Sequence, residues 1–214
     1  MTNRLIVSLV TGGLFVLLPA AAQDYRLEAV VSAAPDLPAG FAAVISPQGY
    51  RLAGASGAWC EVWFRQSIPA GAKAADDSIT LPIAQGTLLG VIRFPSQGGD
   101  RRGQTIKAGL YTLRYSTYPS DGAHQGVAPQ RDFALLTPIA ADKDPAALPA
   151  FEELVGWSRK ASGTPHPAVL SLEVPAAGTS FPAVTKEGDN PDWVLNVKID
   201  DLPIAIILVG KVNG

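Results

Sequence analysis

Short apolar segments, separated by clusters of glycine, proline and other turn-forming residues, recur along the chain from residue 23 onward. The clearest example is WCEVWFRQ over 59–66, in which Cys60, Val62 and Phe64 alternate with other side chains. Alternation of this kind places one set of side chains on each face of a β-strand. The chain contains 21 Gly and 18 Pro, and many short strands joined by such turns are typical of an all-β sandwich.

The same pattern predicts further strands on both sides of this segment. They are expected over 26–32, 41–46, 78–81, 87–94, 110–116, 131–139, 169–174, 193–199 and 205–212. The connections between most of them are short, and the sequence shows no internal repeat or low-complexity linker. This organisation favours a single domain over 23–214.

One segment departs from the β pattern and has the spacing of an amphipathic helix. Phe151, Leu154 and Val155 share one helical face, which predicts a helix over 150–161. Its first turn is acidic and its last turn is basic, as the helix dipole favours, and Gly163 follows as a stop signal. The expected fold class is mainly β: an antiparallel β-sandwich, jelly-roll or Ig-like, with one short helix packed on a sheet.

The first 22 residues differ in kind from the rest of the chain. Arg4 supplies a positive charge, 5–18 is apolar, and 19–22 consists of small residues, PAAA. This arrangement predicts a secretory signal peptide over 1–22. The protein is therefore expected to be periplasmic or secreted. No membrane span is expected after cleavage, because the apolar run is shorter than the roughly 20 residues of a spanning helix.

Charge and cysteine content narrow the possible partners. The formal net charge of -2 gives no field that would attract nucleic acid, so no nucleic-acid partner is expected. Cys60 is the single cysteine and has no partner for an internal disulfide. Its position in a predicted strand indicates a small buried hydrophobic residue.

The second face of the 59–66 strand carries two indoles, Trp59 and Trp63, beside the opposite charges of Glu61 and Arg65. One interpretation is a sheet face that a loop or helix covers, since large aromatic side chains are usually buried. The other is an aromatic platform for a sugar or a peptide. On that second interpretation, Trp59 and Trp63 are candidate ligand-binding residues.

The long connection between the strands that end at 116 and begin near 131 is the main candidate for function. Its sequence predicts no secondary structure, and long connections of this kind in compact domains often bind ligands. We therefore expect a ligand or partner site on the 119–132 loop. Its candidate ligand-binding residues are Asp121, His124, Gln125, Arg131 and Asp132.

The two histidines of the chain have two interpretations: surface loop residues that hydrogen-bond the backbone, or ligands of an alternative, metal-binding site. His124 lies in this loop, and His166 lies between two prolines that restrict its backbone. Together with Asp121 or Asp132 they would supply nitrogen and oxygen ligands for copper or zinc. No other cofactor is expected, because the chain has neither G-x-G-x-x-G nor a P-loop.

The segment from Thr105 to Leu113, TIKAGLYTL, carries a short pattern, I-x-A-G-x-Y-x-L. It resembles a family of uncharacterised exported bacterial β-sandwich proteins. The resemblance implies that Gly109 is a turn residue and that Tyr111 and Leu113 lie in the core. It implies fold and export, and it carries no activity.

These observations predict an exported, non-catalytic protein that binds a small molecule, a glycan or an envelope protein through the 119–132 loop. The first alternative is a copper or zinc protein of the cell envelope that uses His124 and His166. The second is a cell-envelope hydrolase with His124 as base, although the chain lacks the G-x-S-x-G elbow of many hydrolases.

Overall fold

A computed structural model describes residues 24–69, 81–118, 131–188 and 192–211 of the 214-residue chain. The predicted signal peptide over 1–22 and three of the loop candidates, Asp121, His124 and Gln125, lie outside these ranges. Among the helices within them, none has the length and apolarity needed to cross a membrane.

The described residues form β-strands with two helices. The strands are β1 (Arg26–Val30), β2 (Gly49–Gly54), β3 (Gly57–Phe64), β4 (Leu88–Phe94), β5 (Gly98–Gly99), β6 (Thr105–Ile106), β7 (Gly109–Thr117), β8 (Asp132–Pro138), β9 (Val169–Glu173), β10 (Ala183–Glu187), β11 (Asp192–Ile199) and β12 (Leu202–Val209). The helices are α1 (Ala39–Ala42) and α2 (Phe151–Ser162). The predicted fold class, mainly β with one short helix packed on a sheet, is confirmed.

Ten of the strands form one antiparallel sheet in the order β1-β2-β3-β4-β7-β8-β9-β12-β11-β10. The sheet curls until its two edge strands, β1 and β10, approach each other. Across this seam the Tyr25 and Trp193 rings meet edge to face, with centroids 5.4 Å apart. The Lys186 ammonium lies 3.4 Å from a carboxylate oxygen of Asp24. The opposing layers expected of a sandwich are thus two halves of one continuous sheet.

The inward face of the curled sheet carries apolar side chains that pack into one core. Leucine, isoleucine and valine from β3, β4, β7, β8, β9, β11 and β12 form this core together with aromatic rings. Cys60 lies in it with no exposed surface, which confirms the prediction of a buried hydrophobic residue. Burial raises the pKa of its thiol far above the ordinary value.

Helix α2 packs on the outer face of β8, as the sequence predicts, and begins one residue later than expected. Leu154 and Ala161 are its fully buried apolar residues, and the Ser158 hydroxyl donates a 2.8 Å hydrogen bond to the Ala168 carbonyl ahead of β9. Gly163 ends the helix with φ of 69°, a left-handed conformation that glycine adopts without steric cost.

The strand predicted over 41–46 is wrong. Its first two residues belong to α1, which follows Pro38, and only Ile45 forms an isolated bridge to Arg65. Phe41 packs with Trp63 in a second apolar cluster, so the segment between β1 and β2 covers part of the outer sheet face. A short apolar run in a sequence fits either a strand or a helical turn. Here the run forms a helical turn, in which Phe41 packs against Trp63.

The outer face of the first four strands also carries a row of alternating charges. Glu28, Arg51, Glu61 and Arg93 are direct cross-strand neighbours on β1 to β4. Burial alone would raise the pKa of Glu61, but hydrogen bonds from Arg51 and Arg93 hold it below its ordinary value. Opposite charges placed directly across a sheet contribute to the pairing of its strands.

A second ion pair, between Arg114 and Asp142, is buried completely. Their side chains are 0% and 1% exposed, and two hydrogen bonds of 2.7 and 2.8 Å join them. The remaining guanidinium N–H groups donate to the carbonyls of Gly86, Asp144 and Ala147 at 2.6–3.0 Å. All five donors of Arg114 are therefore satisfied, and they fix β7 to the segment that leads into α2.

We predict that Asp142→Ala lowers the free energy of unfolding by about 3–5 kcal/mol, because it leaves the buried Arg114 charge uncompensated. Arg93→Ala is the control, since the Arg93 side chain is 40% exposed and its ion pair should contribute about 1 kcal/mol or less. Urea denaturation of both variants measures the two losses. Equal losses would contradict a dominant role for the buried pair.

Candidate functional site

A pocket of about 290 Å³ opens between α2 and the outer face of β8 and β9. We call it the α2 pocket. Phe151, Val155 and Arg159 form its helical wall, because residues four apart lie on one face of a helix. Phe133 and Val169 form the wall on the sheet side. Most of its depth is therefore apolar.

The Tyr118 ring extends this apolar surface at the end of β7. It stacks on Phe133 with ring centroids 4.3 Å apart and an angle of 24° between the planes. Burial raises the pKa of Tyr118, and the nearby charge of Arg102 acts in the opposite direction. The aromatic wall thus adjoins a cationic group.

Tyr118 and Arg131 lie at the two ends of the predicted binding loop and are joined to each other. The Tyr118 carbonyl accepts hydrogen bonds from Arg131 Nε at 3.1 Å and from Nη2 at 2.7 Å. The Tyr118 amide in turn donates to the Arg131 carbonyl at 3.1 Å. These three bonds join the two residues that flank the 119–130 segment, and one of them, Tyr118, lines the α2 pocket.

Three nitrogen-bearing side chains, those of Arg102, Arg159 and His166, line the pocket as well. The Arg102 Nη2 group donates a 2.6 Å hydrogen bond to the Pro167 carbonyl and lies 3.8 Å from Asp100. Its Nε atom is buried and has no hydrogen-bond partner in the described part of the chain. The pocket thus combines apolar walls with donor groups.

The structure describes His166 but not His124, the other histidine of the predicted metal site. The backbone of His166 is held by Thr164 Oγ1, which accepts from its amide at 3.1 Å, and by the Ser162 hydroxyl, which donates to its carbonyl at 2.6 Å. Within the four described ranges, no group of three His, Cys, Asp or Glu side chains is arranged to hold a metal ion. Because His124 lies outside them, the copper or zinc site stays a prediction.

The Asp132 carboxylate, predicted to bind a ligand, makes internal contacts. It is fully buried, and one of its oxygens accepts a 2.7 Å hydrogen bond from the Tyr115 hydroxyl and a 3.2 Å bond from the Leu81 amide. Asp132 therefore links three separate segments near the base of the loop. Its neighbour Arg131 joins this end of the loop to Tyr118, which precedes the loop.

Trp59 and Trp63 lie on opposite sides of the sheet, so the prediction that they share a face is wrong. Leu52 pairs with Cys60 whereas Ala53 pairs with Ala58, which leaves Trp59 as the extra residue of a β-bulge. A bulge shifts the alternation of side chains by one position. Trp59 consequently packs against the enclosed core.

Both indole N–H groups donate to backbone carbonyls, that of Trp59 to Leu208 at 3.1 Å and that of Trp63 to Ser32 at 2.8 Å. Trp63 is 1% exposed. The segment between β1 and β2 covers it, as the first of the two interpretations expected. The two rings do not form a common aromatic platform.

Sequence reasoning missed Arg102, Tyr118 and Arg159 as site residues. Tyr118 stands just before the predicted 119–132 loop, and Arg159 belongs to the basic last turn that suits the helix dipole. The spacing of Phe151, Val155 and Arg159 does carry a signal, because it places a cation on an apolar helical face. Nothing in the local sequence links Arg102 to that face.

Comparison of the chain with models of protein families, with curated proteins and with solved structures finds no match.

We predict that Asp132→Ala lowers the free energy of unfolding by about 1–3 kcal/mol, because it removes the acceptor of two buried donors. Asp132→Asn is the matched variant, since its amide oxygen still accepts, and it should lose less. Thermal and urea unfolding measure both effects. An unchanged unfolding midpoint for Asp132→Ala would show that the carboxylate is not structural.

Proposed function

We propose that this protein is an exported, non-catalytic binding protein whose ligand occupies the α2 pocket, at the base of the 119–132 loop. The observation that carries the proposal is the convergence there of apolar walls and a few donor groups. Small-molecule sites are typically concave and mostly apolar, with a small number of polar groups that orient the ligand. The pocket volume, about 290 Å³, lies near the lower end of the range for such sites.

The position of the pocket relative to the sheet supports the same proposal. Binding residues are often placed on connecting segments that a rigid scaffold holds. Here β7 and β8 pair along seven residue positions, from Tyr111 with Pro138 to Thr117 with Asp132. The Tyr118–Arg131 hydrogen bonds continue this ladder to the edge of the pocket.

The export signal and the binding loop were both inferred from the sequence, and they agree with this proposal. An exported protein that lacks nucleotide-binding motifs is suited to capturing a small molecule in the cell envelope or outside the cell. The α2 pocket supports that expectation, because apolar walls and a few donor groups converge there.

A substitution that fills the pocket with a larger side chain tests the proposal. Val155 is half-buried on the pocket wall, and Val155→Trp should occupy the space in which a ligand binds. A panel of small organic acids, amines, alcohols and sugars is screened against the protein by ligand-observed NMR. We expect at least one class to bind the unmodified protein and to lose most of its binding to Val155→Trp.

Val174→Trp is the matched control, because Val174 is 48% exposed and does not line the pocket. Its binding should equal that of the unmodified protein. If Val155→Trp does not fold, Val155→Phe makes the same test with a smaller side chain. Equal binding by the pocket-filled and control variants, or no binding by the unmodified protein, would overturn the proposal.

A further inference from the structure

We infer that the α2 pocket is selective for a small monocarboxylate with an apolar body, held by Arg159 and Arg102. This inference rests on the proposed function, since it names the chemical class of the ligand in that pocket. Three properties of the described residues support it: the charge balance, the geometry of the donors, and the size and polarity of the walls.

The charge balance of the pocket is positive by about one unit. The Arg102 charge is offset by the Asp100 carboxylate, 3.8 Å away. The Arg159 side chain has no hydrogen-bond or ion-pair partner in the described part of the chain. The acidic residues of α2, Glu152 and Glu153, lie in its first turn. Glu152 precedes Arg159 by seven residues, which is roughly 10 Å along the helix axis. One uncompensated cation matches a monoanion better than a dianion.

The donors that remain available suit a carboxylate. A guanidinium group presents parallel N–H donors that match the two oxygens of a carboxylate. Arg159 offers such a group at the exposed end of the helical wall. The Arg102 guanidinium lines the pocket as well, and its buried Nε has no partner in the described part of the chain. A neutral head group would gain no charge-assisted hydrogen bond from Arg159.

The walls of the pocket indicate the polarity and the size of the rest of the ligand. Phe133, Val169, Phe151 and Val155 surround the depth of the pocket with apolar surface, which favours a hydrocarbon body. A volume of about 290 Å³ corresponds to about ten water molecules at roughly 30 Å³ each. This space accommodates a chain the size of octanoate.

The test compares octanoate with octanamide, its neutral analogue of nearly equal shape, by isothermal titration calorimetry at pH 7 and constant ionic strength. We expect octanoate to bind the unmodified protein about tenfold more tightly than octanamide. Arg159→Ala should weaken octanoate binding by about tenfold, the loss expected for a charge-assisted hydrogen bond. The same variant should change octanamide binding by less than about twofold, because the amide carries no charge.

Lys160→Ala is the matched control, since Lys160 is an exposed cation on the same helix that does not line the pocket. It should leave octanoate affinity within about twofold of the unmodified value. Arg159→Lys keeps the charge without the parallel donors and should give an intermediate affinity. Melting temperatures of all three variants establish that each remains folded.

The outcomes separate this inference from the proposed function. Equal affinities for octanoate and octanamide, unaffected by Arg159→Ala, would overturn the carboxylate inference while the pocket stands as a binding site. Equal weakening by Arg159→Ala and Lys160→Ala would indicate general attraction and would also overturn it. If neither probe binds, the inference fails, and the NMR screen with Val155→Trp decides the proposed function independently.

Discussion

The buried guanidinium of Arg114 determines how the outer layer of the protein is placed on the sheet. Its donors reach Asp142 and the carbonyls of Gly86, Asp144 and Ala147, so one side chain on β7 holds the turn before β4 and the segment that enters α2. A charge in this position is stable only when every donor is paired. The start of α2 is therefore fixed at one place on the sheet.

The α2 pocket follows from that placement. Leu154 and Ser158 hold the helix to the sheet, the first by burial and the second by its hydrogen bond to Ala168. Phe151 and Val155 are only partly buried and face the remaining gap. The space is bounded on its other sides by the Tyr118–Phe133 stack and by the segments around Arg102 and His166. A helix anchored on one face leaves the adjoining face available to a ligand.

Several strands and helices could be predicted from the sequence, because their hydrophobic patterns depend only on neighbouring residues. The strand predicted over 110–116 matches β7, Gly109–Thr117, since strict alternation has one interpretation. The helix over 150–161 matches α2 for the same reason, with Gly163 as its end. In contrast, β2 and β10 were missed. β2 begins and ends in glycine, and β10 is only partly buried, so neither has a strong alternating pattern.

The mainly β class, the position of α2 and the burial of Cys60 could be predicted from the sequence, because each depends on neighbouring residues and on how apolar they are. In contrast, the bulge that turns Trp59 inward and the pairing of Arg114 with Asp142 become visible only in the folded chain. The fold also brings about the hydrogen bond from Arg102 to the carbonyl of Pro167, which is 65 residues away in the sequence. Contacts of this kind depend on strand register and chain path, and no local pattern of hydrophobic and polar positions specifies those.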